Sequence, residues 1–173
     1  MTLIVEDGTG LPNSDSYASV ANADTRLAAL GMTAWTSLSS AQKEQALRRA
    51  TVYMLQTYRS RWRGRRKLGT QALDWPREEV TRDDYGIFLI SGYYAYYPDD
   101  EVPAEVKDAC IDLALKSAAA DLLPDEAQGV VREKVGPLEV EYDRYSPQRK
   151  KYSAIDGLLR PLLKADGAGV VRT

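Results

Sequence analysis

The stretch Ser39 to Tyr58 reads S-S-A-Q-K-E-Q-A-L-R-R-A-T-V-Y-M-L-Q-T-Y, and its periodicity is the strongest structural signal in the chain. Ala46, Leu47, Ala50, Tyr53, Met54 and Tyr58 recur at the spacing of a helix buried along one side. Arg48, Arg49 and Gln56 fall on or near the other face. Ser39 followed by Gln42 has capping-box spacing, in which the two side chains satisfy each other's backbone N–H groups at the helix start.

Working outward, the same period returns three times. Towards the N-terminus, Asp15 or Ser16 is a plausible N-cap for a helix carrying Tyr17, Val20, Ala23, Leu27 and Leu30, with Gly31 as its terminator. Towards the C-terminus, Pro103 fits the first turn of a helix whose Val106, Ala109, Cys110, Leu113, Ser117 and Ala120 form a narrow seam. Small residues in such a seam let a second helix approach closely. Leu122-Leu123-Pro124 ends it. A last amphipathic helix carries Tyr152, Ile155, Leu158, Leu159 and Leu162, and the ring of Pro161 would oppose the carbonyl of Gly157 and break it. Before that helix, Leu138, Val140 and Tyr142 alternate opposite Val131 and Val135 across Gly136-Pro137, the pattern of a two-stranded ribbon. Residues 1–14 read as an extended arm with a short strand at Leu3-Ile4-Val5, and residues 164–173 as a loose tail.

The densest charge follows Tyr58 directly. Y-R-S-R-W-R-G-R-R-K-L-G-T-Q-A-L-D-W-P-R, Tyr58 to Arg77, crowds Arg59, Arg61, Arg63, Arg65, Arg66 and Lys67 around Trp62 and closes on Trp75-Pro76-Arg77. Cations at a helix C-terminus also suit its dipole. A basic run after a helix is often only a solvated end. Read functionally, the loop faces something negative: nucleic acid, or an acidic protein surface. Arginine with Trp and Tyr can engage phosphates and stack on bases as single-strand binders do. Alternatively, Trp62 and Trp75 anchor the loop in the core and the arginines meet acidic residues of another subunit.

Composition bounds the chemistry. The 173 residues carry a net charge of −2, one cysteine and no histidine. Histidine-dependent triads, nucleases and zinc sites are thereby excluded. Cys110 alone cannot form an intramolecular disulfide and reads as a packing residue. No apolar run reaches the roughly 18 residues of a membrane span. The N-terminus lacks a signal-peptide pattern. A soluble intracellular protein is expected, with no enzymatic activity, no cofactor and no metal.

Tyr85 to Tyr97, Y-G-I-F-L-I-S-G-Y-Y-A-Y-Y, is β-branched and aromatic on both sides of Ser91-Gly92, which suggests a hairpin or extended loop. It is either buried in the core or an apolar tip covered by another subunit. Asp83, Asp84, Asp99, Asp100 and Glu101 bracket it.

Taken in order, W-R-G-R-R, Q-A-L-D-W-P-R, the E-V-P-x-x-V-K-x-A helix, E-K-V-G-P-L-E-V-E-Y and the Leu-rich helix ending L-L-R-P-L-L resemble the head–tail adaptors of tailed bacteriophages. These are connector or head-completion proteins, and some carry the label of DnaT-like single-stranded DNA-binding proteins. The resemblance spans Ser16 to Leu163. It implies a mainly α fold: one small bundle of about four helices over residues 1–163, with a β-ribbon or extended loop and a C-terminal arm. About twelve copies would form a ring on the portal, extend the DNA channel and offer a surface to a tail or stopper protein. Such a protein belongs to the virion, is assembled in the host cytoplasm, and lets genomic DNA pass with little specific binding.

Under that resemblance Arg59, Arg61, Arg63, Arg65, Arg66, Lys67, Arg149, Lys150 and Lys151 are candidates for portal or subunit contacts. Asp83, Asp84, Asp99, Asp100, Glu101, Tyr93, Tyr94, Tyr96 and Tyr97 would face the channel or tail. Gln71, Leu73, Trp75, Pro76 and Arg77 form a structural motif. The alternative function is single-stranded DNA binding in phage replication.

Overall fold

The computed structural model describes residues 2–82, 95–123, 132–135, 138–141 and 151–164. Five α-helices and two small antiparallel sheets are found among them: α1 (Val20–Ala29), α2 (Thr33–Thr36), α3 (Ser40–Tyr58), β1 (Arg65–Arg66), β2 (Arg77–Glu78), α4 (Ala104–Ala119), β3 (Arg132–Val135), β4 (Leu138–Glu141) and α5 (Ser153–Leu159). The mainly α expectation with a ribbon holds.

α3 is the spine. Its capping box forms as its sequence requires: the Ser39 backbone N–H donates to Gln42 Oε1 at 2.9 Å, and the Gln42 N–H donates to Ser39 Oγ at 3.4 Å. The apolar stripe from Ala46 to Tyr58 is buried against α4, whose Val106, Ala109, Cys110, Leu113 and Ser117 are buried in turn. Small side chains bring the backbones close enough for the Ser117 hydroxyl to donate to the Ala46 carbonyl at 3.1 Å. Thr51 Oγ1 lies 3.5 Å from Cys110 Sγ at the same seam. Burial of each large apolar side chain here stabilises the fold by roughly 1.5–3 kcal/mol. Pro103 occupies the N-cap position and α4 ends at Ala119, before Leu122.

α1 begins later than its periodicity suggests. Residues 15–16 are already committed elsewhere: the N–H groups of Asp15 and Ser16 donate to the Ile4 carbonyl, and Glu6 N–H donates to the Ser16 carbonyl. A parallel bridge joins Val5 to Ser16. Ser19 therefore takes the capping role, its hydroxyl accepting from Asn22 N–H at 3.1 Å. At the other end Gly31, at φ +68°, follows the helix as expected.

The N-terminal stretch folds around one carboxylate. Glu6 is buried and accepts from the N–H groups of Gly8, Gly10 and Leu11 and from the Ser14 hydroxyl, at 2.8–3.1 Å. Gly8, at φ +104°, lies so near the Asp100 carbonyl that a Cβ would sit 2.0 Å from it.

At the C-terminal end α5 stops at Leu159 and passes into a 3-10 turn, Arg160–Leu162, which contains Pro161. This is the break that Pro161 imposes. Ile155, Leu159, Leu162 and Leu163 are buried in the core. In the ribbon, β3 and β4 pair antiparallel with Val135 opposite Leu138. Gly136-Pro137, Val131 and Tyr142 lie outside the described residues, as do residues 83–94, 142–150 and 165–173.

Candidate nucleic-acid interface

The loop between α3 and β2 rests on an aromatic floor. Tyr58, Trp62 and Trp75 are each about 1 % exposed or less. Trp62 meets Trp75 edge-on at 5.7 Å between ring centroids and Tyr58 at 5.8 Å. These rings anchor the loop in the core, and none of them is open to a nucleobase.

The Q-A-L-D-W-P-R block is the brace that shapes the loop. The buried Gln71 side chain accepts from Leu68 N–H at 2.8 Å and donates to the carbonyls of Leu73 and Pro76 at 2.8 and 3.1 Å. The Trp75–Pro76 peptide is cis. Arg77 is buried and spreads its fork over three carbonyls: Arg63 at 2.7 Å, Gly64 at 2.8 Å and Asp74 at 3.2 Å. Burial pulls its guanidinium pKa below the ordinary value. Gly64, at φ +62°, is required where the chain passes the Glu78 carbonyl, because a Cβ would approach to 2.1 Å. β1 and β2 then pair, with Arg65 opposite Glu78 and Arg66 opposite Arg77.

On this frame the cations find partners within the same chain. Arg59, with its side chain 57 % exposed, meets the buried Asp74 at 3.0 Å. Arg61 lies 3.5 Å from Asp156 of α5 and sits over the Tyr58 ring. The Tyr58 hydroxyl donates to the same Asp156 at 2.9 Å. Arg63 donates to the Leu163 carbonyl at 2.8 Å. Arg65, 66 % exposed, meets Glu78 at 3.0 Å and Glu79 at 3.3 Å. The bond to Glu78, more than the charge of Glu79, raises the Arg65 pKa. Arg66 donates to the Gln71 carbonyl, and Lys67 lies 3.7 Å from Asp99. Within the chain, the negative groups that the basic loop meets are thus Asp74, Asp156, Glu78, Glu79 and Asp99.

The remaining sequence candidates scatter. Asp99, Asp100 and Glu101 are exposed, next to the N-terminal loop through Gly8. Tyr96 is 49 % exposed and bridges to Thr81. Tyr97 is a core residue: it is buried, Arg82 stacks on it at 4.8 Å, and its hydroxyl donates to Glu105 at 3.4 Å. Within the chain, the Tyr97 ring is thus packed into the core and not displayed as Tyr96 is. Lys151 is exposed. Asp83, Asp84, Tyr93, Tyr94, Arg149 and Lys150 lie outside the described residues.

Two cations that the sequence reading passes over arrive from the far end of the chain. Residues 162–164 run antiparallel to residues 61–63: Arg63 N–H donates to the Leu162 carbonyl at 3.0 Å, and Lys164 N–H to the Arg61 carbonyl at 2.8 Å. Arg160 and Lys164 are both exposed there. In the sequence only their closeness to Pro161 and the Leu162-Leu163 pair marks them, and that gives no hint of the loop opposite. Among the described residues, no group of three or more Cys, Asp or Glu side chains is placed to hold a metal ion. No helix among them is long and apolar enough to cross a membrane.

A family model described as "Putative DnaT-like ssDNA binding protein" matches residues 1–173. The chain belongs to this DnaT-like family. No curated protein and no solved structure matches it. The family assignment corrects the head–tail adaptor expectation. Over the full length of this DnaT-like chain the matching description concerns single-stranded DNA, which favours the alternative and leaves the portal and tail roles without support.

Proposed function

We propose that this DnaT-like protein is a non-enzymatic binder of single-stranded DNA that holds the strand chiefly by its phosphates. The carrying observation is the basic loop, clamped from inside by Gln71 and Arg77, which displays Arg59, Arg61, Arg63 and Arg65 in fixed positions within a family described as single-strand binding. Arg59, Arg61 and Arg65 already sit beside carboxylates. A phosphate enters by exchanging for that carboxylate, so little side-chain ordering remains to oppose binding, but the displaced acid weakens the net gain. With Tyr58, Trp62 and Trp75 sealed in the core, stacking contributes little from this loop. Binding is therefore modest, tolerant of sequence and strongly dependent on salt. In this reading the protein acts in the host cytoplasm during phage replication.

Anisotropy of a labelled oligo-dT measured across a salt series tests this. Three to four phosphate contacts give a log–log slope of about −2 to −3, a loss of roughly 20- to 50-fold in affinity for a fourfold rise in salt. Absence of binding at low salt, or a slope near zero, overturns the proposal.

A further inference from the structure

The docking of the C-terminal segment onto the basic loop has a geometric consequence. Trp62 and Leu163 form an antiparallel bridge and both are buried. The adjoining Arg61 and Lys164 are joined by the bond from Lys164 N–H to the Arg61 carbonyl, and there Lys164 is exposed and Arg61 half-exposed. The Lys164 ammonium reaches back to the Ser60 carbonyl at 3.3 Å, which holds it beside the loop without neutralising it. Four residues earlier, at the start of the 3-10 turn, Arg160 is exposed and has no ion-pair partner among the described residues. Pro161 and the buried Leu162 and Leu163 fix the turn that carries both cations.

We infer that Arg160 and Lys164 form a second rail of the single-strand site, binding phosphates alongside Arg61 and Arg63. This rests on the single-strand reading above and adds to it. Among the loop arginines, Arg59, Arg61 and Arg65 are shared with Asp74, Asp156, Glu78 and Glu79. The two C-terminal cations face no such competitor among the described residues, so they offer a phosphate their full charge. Asp156 is the acidic group of α5 nearest this strip, and it is already occupied by Arg61 and the Tyr58 hydroxyl. The rail is also preformed. Its backbone is hydrogen-bonded to the loop, so binding need not order a free tail.

The test uses the full chain with labelled oligo-dT. The double variant R160Q/K164Q is compared with wild type and with R49Q/K107Q, which removes the same charge from α3 and α4 instead. Loss of two phosphate contacts makes the salt slope less negative by about 1.4 and weakens low-salt binding roughly tenfold, uniformly across sequences. R49Q/K107Q changes both much less, and R160K/K164R retains wild-type binding, which separates lost charge from disturbed folding. If R160Q/K164Q matches R49Q/K107Q in slope and affinity, the rail is refuted while single-strand binding stands. If wild type itself fails to bind oligo-dT at low salt, the function proposed above falls and the rail with it.

Discussion

Replacing Arg77 with methionine leaves three carbonyls, those of Arg63, Gly64 and Asp74, without the donors that now reach them at 2.7–3.2 Å. A hydrogen bond from a charged donor contributes about 1.5–3 kcal/mol, so three suggest a gross loss of at least about 4.5 kcal/mol. Two effects reduce it. Burial already disfavours the guanidinium, as the downward pKa shift records, and methionine recovers apolar packing in the vacated space. A net destabilisation of about 3 kcal/mol is expected, a large share of the roughly 5–15 kcal/mol that holds a domain together. Urea unfolding followed by far-UV circular dichroism measures it from the midpoint at constant slope. R77K keeps the charge but loses the planar fork, and is expected to lose about 2 kcal/mol. A loss below about 1 kcal/mol for R77M would mean the three carbonyls find other donors, and the inner clamp would not be what shapes the loop.

Three further outcomes follow from the same geometry. E78Q/E79Q frees Arg65 from two carboxylates and should tighten oligo-dT binding about two- to fivefold by anisotropy; unchanged or weaker binding contradicts the exchange of acid for phosphate. Because Trp35, Trp62 and Trp75 are all buried, tryptophan emission should stay nearly constant as oligo-dT saturates the protein, and strong quenching would show that the rings reach the bases. Asp24 accepts from Lys43 at 2.8 Å and from the Trp35 indole at 2.7 Å, and the Lys43 bond in particular lowers its pKa. A depressed carboxylate pKa adds stability above the unfolded value of about 3.9, and that stability disappears as pH falls through the lower folded value. D24N should therefore be less stable than wild type near neutrality, by up to about 1 kcal/mol given the half-exposed site, with the gap closing as pH falls below the unfolded value of about 3.9; a pH-independent gap in urea midpoints argues against the assignment.

Features determined by neighbours a few residues apart could be read from the chain. The Ser39–Gln42 box, the small-residue seam of α4, Gly31 as terminator and the break at Pro161 each depend on local spacing, and each forms. Features that depend on distant partners could not. The start of α1 is displaced because residues 15–16 pair with residues 4–6, which no helical period encodes. The partner of Arg61 lies 95 residues away, and Glu6 acquires its role only when three backbone N–H groups curl around it. Trp62 beside arginine is equally good grammar for a stacking platform and for a buried anchor. Burial decides between them, and burial belongs to the assembled core.

The bridge between Trp62 and Leu163 also sets an order of events at the ribosome. The residue that bridges Trp62 follows α1, α3 and α4 along the chain, so those helices can be present before that bridge closes. A chain truncated before this turn would lack the bridge together with the buried Leu162 and Leu163.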